Sequence, residues 1–164
     1  MYTLRFPTFV SLFLTLALSF AAVTVHAQGL NLKAHLTGSE EVPLADTRAQ
    51  GQAIFRVSND GTSIHFRLNV ANIENVTQAH IHLAPAGQNG PVVAWLYPSG
   101  PPAVLLPGRF QGVLSAGVIT EASLVGPLAG QTLDQLISQM MNGNTYVNVH
   151  TASFPAGEIR GQIQ

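Results

Sequence analysis

The two most informative segments of the chain are residues 78–83, QAHIHL, and residues 146–151, YVNVHT. Both alternate apolar and polar side chains, and a period of two is typical of a β-strand whose two faces differ. His80 and His82 therefore lie on one face of the first strand, and His150 lies on the polar face of the second. If the two strands are neighbours in one sheet, the three imidazoles converge on a point. Neutral imidazole is a good ligand for copper and zinc.

Most of the remaining chain also has strand patterns. Alternation over residues 30–36 predicts a first strand, and the turn signal Asn59-Asp60-Gly61 predicts a hairpin around it. A helical period follows Thr132 and predicts one short helix. The predicted strands after the first are 52–57, 63–70, 76–83, 92–97, 108–114, 118–124, 146–150 and 158–163, with a second hairpin turning at 115–117.

These patterns predict an all-β fold. Many short strands separated by turn signals are typical of an antiparallel β-sandwich or barrel. We expect a Greek-key-like antiparallel β-sandwich or flattened barrel that carries one short helix.

The N-terminus has the features of an export signal. Arg5 gives a positive start, residues 9–22 are mostly apolar, and Val25-His26-Ala27 matches a small-x-small cleavage site. We expect residues 1–27 to be a signal peptide and residues 28–164 to form one domain. The mature protein is then periplasmic or secreted, and it has no membrane segment after cleavage.

Composition excludes several kinds of protein. The formal net charge is −1, and only 9% of the residues are charged, so no basic surface for nucleic acid is expected. The chain has no cysteine, so it has no disulfide bond and no thiolate ligand. A metal site in this chain must therefore use nitrogen, oxygen or thioether ligands.

Four segments together resemble the CHRD domain, a family named for chordin and also found in many bacterial secreted proteins. They are residues 36–43, LTGSEEVP; 79–91, AHIHLAPAGQNGP; 146–151, YVNVHT; and 154–161, FPAGEIRG. Leu44 stands where the family often has a second proline. The resemblance covers nearly all of residues 28–164 and implies an antiparallel β fold. It implies little about chemistry.

The leading interpretation of the histidines is a metal site. His80, His82 and His150 are the expected ligands, with copper the expected ion and zinc the alternative. The layout is similar to the copper site of the copper/zinc superoxide dismutase fold. No histidine lies between His82 and His150, however, so dismutase activity is not expected. The competing interpretation is that the three histidines are structural.

Four further residues are candidates for a fourth ligand or for hydrogen bonds that orient the ligand imidazoles. His35 and His65 occupy outward positions on their predicted strands. Asn148 shares a face with His150. Glu158 either orients an imidazole or pairs with Arg160, two positions along the same strand.

Two functions of different classes follow. The first is a small copper-binding or zinc-binding protein. The second is a metal-free extracellular interaction or structural module, whose partner would be an unidentified extracellular or envelope protein. We expect a binding protein rather than an enzyme, although three histidines leave a coordination position open for a metalloenzyme. The sequence predicts no oligomeric state.

Overall fold

Antiparallel strands and one short helix make up residues 29–164, the part of the chain that the computed structural model describes. The predicted signal peptide, residues 1–27, lies outside the described residues. Among the described residues, no helix has the length and apolar character needed to cross a membrane. The elements are β1 Asn31–Thr37, β2 Gln50–Val57, β3 Ile64–Leu83, β4 Val92–Tyr97, β5 Leu106–Ile119, α1 Leu133–Met141, β6 Thr145–Thr151 and β7 Ile159–Gln162.

Five of the strands close into an antiparallel barrel. The order is β2-β1-β7-β6-β3, and β3 also pairs with β2, which completes the ring. Strands β4 and β5 pair with β3 outside this ring. The predicted all-β antiparallel fold with one short helix is confirmed, and it takes the barrel form.

Strand β3 bends in its middle, where it changes pairing partner. Asn72 and Asn75 both have a φ of 54°, and the pairing of β3 with β5 shifts register around them. Asparagine tolerates this left-handed conformation better than most residues do. The sequence predicted separate strands at 63–70 and 76–83, whereas the structure joins them. The first half pairs with β2 and the second half with β6.

The second predicted hairpin, with its turn at residues 115–117, is wrong. Strand β5 runs through this segment without turning, and Gly117 lies opposite Phe66 of β3. A Cβ atom at Gly117 would lie 3.0 Å from the Phe66 ring. The glycine therefore leaves room for an aromatic ring and does not form a turn.

Strand β6 is buried on both faces. All seven of its residues are buried, although only one face, with Val147 and Val149, belongs to the hydrophobic core inside the barrel. The other face carries Tyr146, Asn148 and His150, which are covered by the loops on either side. The histidines thus lie on the face opposite the core, as predicted, but this face is not open to solvent.

We predict that Gly161→Ala destabilises the barrel at the seam between β1 and β7. A Cβ at this position would lie far inside van der Waals contact with the backbone oxygen of His35, and neither strand can move without breaking the ring. We expect a loss of about 2 kcal/mol or more in the free energy of unfolding, measured by urea denaturation. Gly100→Ala, where nothing lies within 4 Å, is the matched control and should change stability little. Equal stability of the two variants would contradict this account.

Candidate metal centre

Neighbouring strands bring the three predicted histidines together. In the pairing of β3 with β6, His80 lies opposite Asn148 and His82 lies opposite Tyr146. His150 is two positions from Asn148 on the same face. One nitrogen from each of the three rings lies within 4.8 Å of the other two, and all three side chains are buried. The sequence placed these residues on one face correctly.

Backbone carbonyls fix the orientation of two of the imidazoles. The Nδ1–H of His82 donates to Gly90 O at 2.9 Å, and the Nδ1–H of His150 donates to Pro155 O at 3.0 Å. Carbonyl oxygens accept but do not donate, so the proton must be on Nδ1 in both rings. The Nε2 atom of each ring therefore keeps its lone pair, which is the form that binds a metal.

His80 completes the cluster. Its Nδ1 lies 3.3 Å from Nε2 of His150, and without a metal this contact is a hydrogen bond in which His80 donates. Its Nε2 is buried and has no partner within the protein, and the same is true of Nε2 of His82. Buried polar atoms are normally paired, since an unpaired one carries its full desolvation cost. A cation between the rings would satisfy these lone pairs.

The surroundings keep the imidazoles neutral. Burial, together with the neighbouring His150 and His82, lowers the pKa of His80 to about 3. Burial also lowers the pKa of His82 to about 4 and that of His150 below its ordinary value. Desolvation disfavours the charged imidazolium, and each ring would repel a charged neighbour. All three rings are thus in the ligand form at neutral pH.

Aromatic rings form the walls of the cluster. Trp95 of β4 packs edge-on against His80, with ring centroids 4.3 Å apart. Tyr146 stacks on His82 at 4.8 Å with the rings nearly parallel. The guanidinium of Arg160 lies over the ring of Tyr146, 3.4 Å from its centroid. These contacts limit rotation of the imidazoles and keep water away from them.

Comparison with known proteins identifies a family for this chain. The sequence matches the family model described as CHRD domain over residues 32–163. This chain belongs to the CHRD domain family. Searches of curated proteins and of solved structures found no match. The matched residues include all three histidines of this CHRD domain and the loops whose carbonyls orient them.

Arg160 was not predicted to belong to the site, and it holds the loop that orients His82. It is only 1% exposed, and its guanidinium donates to Gln88 O at 2.7 Å, Pro85 O at 3.4 Å and Asn89 Oδ1 at 3.1 Å. Gly90, whose oxygen accepts from His82, follows directly in this loop. The sequence showed only that Arg160 lies on a strand, because its partners depend on how the loop folds back.

The hydrogen bonds of Glu158 go to threonines and not to the three imidazoles. Its carboxylate accepts hydrogen bonds from the hydroxyl groups of Thr47 and Thr151, each at 2.7 Å. Of the two alternatives for Glu158, the pair with Arg160 is not formed, because the guanidinium of Arg160 donates to oxygens of the 85–89 loop. Glu158 instead ties the start of β7 to the loop before β2.

The other candidate residues divide into two groups. Asn148 lies beside His80 and His150, and its Nδ2 donates to the buried carboxyl group of Glu41. His35 and His65 are exposed on β1 and β3, and neither belongs to the three-histidine group. Glu41 was not predicted as a site residue, since the pattern of its segment gave no sign that the chain folds over β6.

We predict that the metal-free domain loses stability as the pH falls from about 6.5 towards 4. Unfolded histidine titrates near pH 6.5, whereas folded His80 and His82 titrate near 3 and 4, so acid favours the unfolded chain in this window. Glu41 opposes the trend, because burial raises its pKa from 4.5 to about 7. The three histidines together should change the free energy of unfolding more than the one carboxyl group does. Glu41→Gln removes the opposing contribution and should make the loss of stability with falling pH steeper. Urea denaturation at several pH values in chelator measures this, and a constant stability down to pH 4.5 would contradict it.

Proposed function

We propose that this CHRD domain binds one copper ion through His80, His82 and His150, with zinc as the alternative ion. The observation that carries the proposal is the convergence of three neutral imidazole nitrogens within 4.8 Å, two of whose rings have Nδ1 engaged by carbonyl oxygens. This is a ligand set oriented before any metal arrives, and such hydrogen bonds are typical of histidines that ligate metals.

The spacing and chemistry of the donors suit copper and zinc. Two ligand nitrogens about 2.0 to 2.1 Å from a tetrahedral ion lie roughly 3.3 Å apart. The ligand nitrogens that the three histidines offer lie within 4.8 Å of one another. A site built of neutral imidazoles does not favour magnesium or calcium, which prefer oxygen. Between divalent ions at one nitrogen site, copper binds more tightly than zinc.

The role that fits this site is holding or delivering copper outside the cytoplasm. The CHRD family supports an extracellular module, and the predicted signal peptide at residues 1–27 supports export to a periplasm or to the medium. When bound, copper would supply Lewis acidity and one-electron redox chemistry. The residues described here bind and orient the ion, restrict water and leave a coordination position open. We propose a binding protein and assign no reaction.

A metal-free interaction module is the second candidate. The observation that favours it is strand β5, which pairs with β3 along one edge and, among the described residues, with no strand along the other. Val113 and Val118 of this strand are large apolar side chains exposed to solvent. An unpaired strand edge is a common place for a partner chain to add a strand.

We predict that the protein binds one copper ion per chain and that His82→Ala weakens binding by at least about 100-fold. The reason is that one of three ligands is lost and the remaining two cannot enclose the ion. Isothermal titration of the exported, untagged and chelator-treated protein measures the affinity for copper and zinc. His65→Ala is the matched control, since His65 is exposed and outside the group, and it should bind copper like the original chain.

Two results would contradict the proposal. One is the absence of copper and zinc binding by a folded protein. The other is unchanged binding when His80, His82 and His150 are all replaced by alanine. A third result would favour the second candidate. If neither the original protein nor the variants bind metal, and the replacements lower the melting temperature in chelator, the histidines are structural and the interaction module is the better account.

A further inference from the structure

Unpaired buried polar atoms concentrate beside the histidine cluster. Among residues 29–164, the buried side-chain atoms without a hydrogen-bond partner are Nε2 of His80, Nε2 of His82, Oδ1 of Asn148 and Oγ1 of Thr145. Three of these four atoms belong to neighbouring positions on the outer face of β3 and β6. The imidazole atoms are explained by a bound metal. The amide oxygen of Asn148 needs an explanation of its own, since its side chain is only 2% exposed.

Glu41 determines which end of the Asn148 amide is free. Above its pKa of about 7 the Glu41 carboxyl is ionised and can only accept, so the end of the amide that meets it is Nδ2, at 2.5 Å. The Gly157 backbone packs against this same end, where any Cβ would collide with Nδ2. Glu41 also interacts with Arg160, which lies opposite Asn148 on β7. The amide nitrogen is thus engaged by Glu41, and the oxygen is left without a donor.

Asn148 is flanked by metal-ligand candidates on its other side. His80 is its direct partner across β3, and residues paired in this way have Cβ atoms roughly 4.5 to 5.5 Å apart. His150 is two positions along the same face of β6. The unpaired, buried amide oxygen of Asn148 thus belongs to a residue that lies between two of the three histidines.

We propose that Asn148 is a specificity-determining residue that selects a proton-carrying oxygen ligand, water or hydroxide, for the fourth position on the metal. The inference rests on the proposed copper site. The Asn148 oxygen accepts a hydrogen bond from the bound ligand, and Glu41 keeps the amide from flipping. An acceptor at this place stabilises a ligand that has a proton to donate. It offers nothing to an anion without one, such as azide.

The experiment compares azide binding to copper-loaded variants. Azide is titrated at about pH 8, where Glu41 is ionised, into the Cu(II)-loaded full chain, expressed for export, and its charge-transfer absorbance is followed. In Asn148→Leu the bound water loses its acceptor while the three histidines remain. Azide should then bind about tenfold more tightly than to the original protein, the equivalent of one hydrogen bond, while copper affinity changes little. Azide competes with water only at the metal, so a purely structural role for Asn148 would not produce this shift.

A paired exchange provides the matched control. In the double variant Asn148→Asp with Glu41→Gln, the hydrogen bond between the two side chains is kept, and a carboxylate oxygen replaces the amide oxygen near the metal. The acceptor is retained and made negative, so azide should bind more weakly than to the original protein. Glu41→Gln alone allows the Asn148 amide to flip, because glutamine can donate as well as accept, and it should give an intermediate azide affinity.

The outcomes separate the two proposals. Copper bound by the original protein, with the same azide affinity in Asn148→Leu and in the double variant, overturns the role of Asn148 and leaves the copper site standing. Failure of the original protein to bind copper overturns both. If Asn148→Leu does not fold, the double variant Asn148→Asp with Glu41→Gln tests the inference alone. An azide affinity of the double variant equal to or tighter than that of the original protein overturns the inference.

Discussion

Strand β6 is buried on both faces, and this constraint governs the rest of the site. One face is apolar and fills the barrel, so it is satisfied by packing alone. The other carries Tyr146, Asn148 and His150, and each of these brings polar atoms that must find partners away from water. The loops over this face supply most of those partners through backbone carbonyls and a buried carboxyl group. The polar atoms that remain unpaired are concentrated where the three imidazoles meet.

The 85–89 loop is held in turn by the buried, charged guanidinium of Arg160. Arg160 is almost fully buried, and its hydrogen bonds go to backbone carbonyls and an amide oxygen in the 85–89 loop. A buried guanidinium is stabilised only if its donors are satisfied, so the loop cannot move away without a large desolvation cost. Stacking on Tyr146 adds a cation–π contact. The position of His82 therefore depends on a residue of β7 that acts through the loop.

The alternation of side chains was sufficient to predict the strands and to place the three histidines on one face. It failed where the structure depends on a bend in a strand or on a contact between distant segments, which a period of two does not encode. The bend at Asn72 and Asn75 joins two predicted strands. The predicted turn at residues 115–117 is absent because Gly117 packs against Phe66, which is a contact between distant segments. Glu41 and Arg160 could not be assigned to the site for the same reason. Their roles come from loops that cover β6, and loop paths depend on tertiary contacts.

The sequence separation of the two histidine-bearing strands has a consequence for how the protein folds. His80 and His150 are 70 residues apart in sequence, and they meet only when β6 has paired with β3. Bringing together such distant segments is slow, because the chain loses the entropy of closing a long loop before any stabilising contact forms. The ligand set therefore cannot form before β6 has paired with β3. An ion bound there would do little to speed folding, but it would slow unfolding. The metal-bound domain would therefore be kinetically stable.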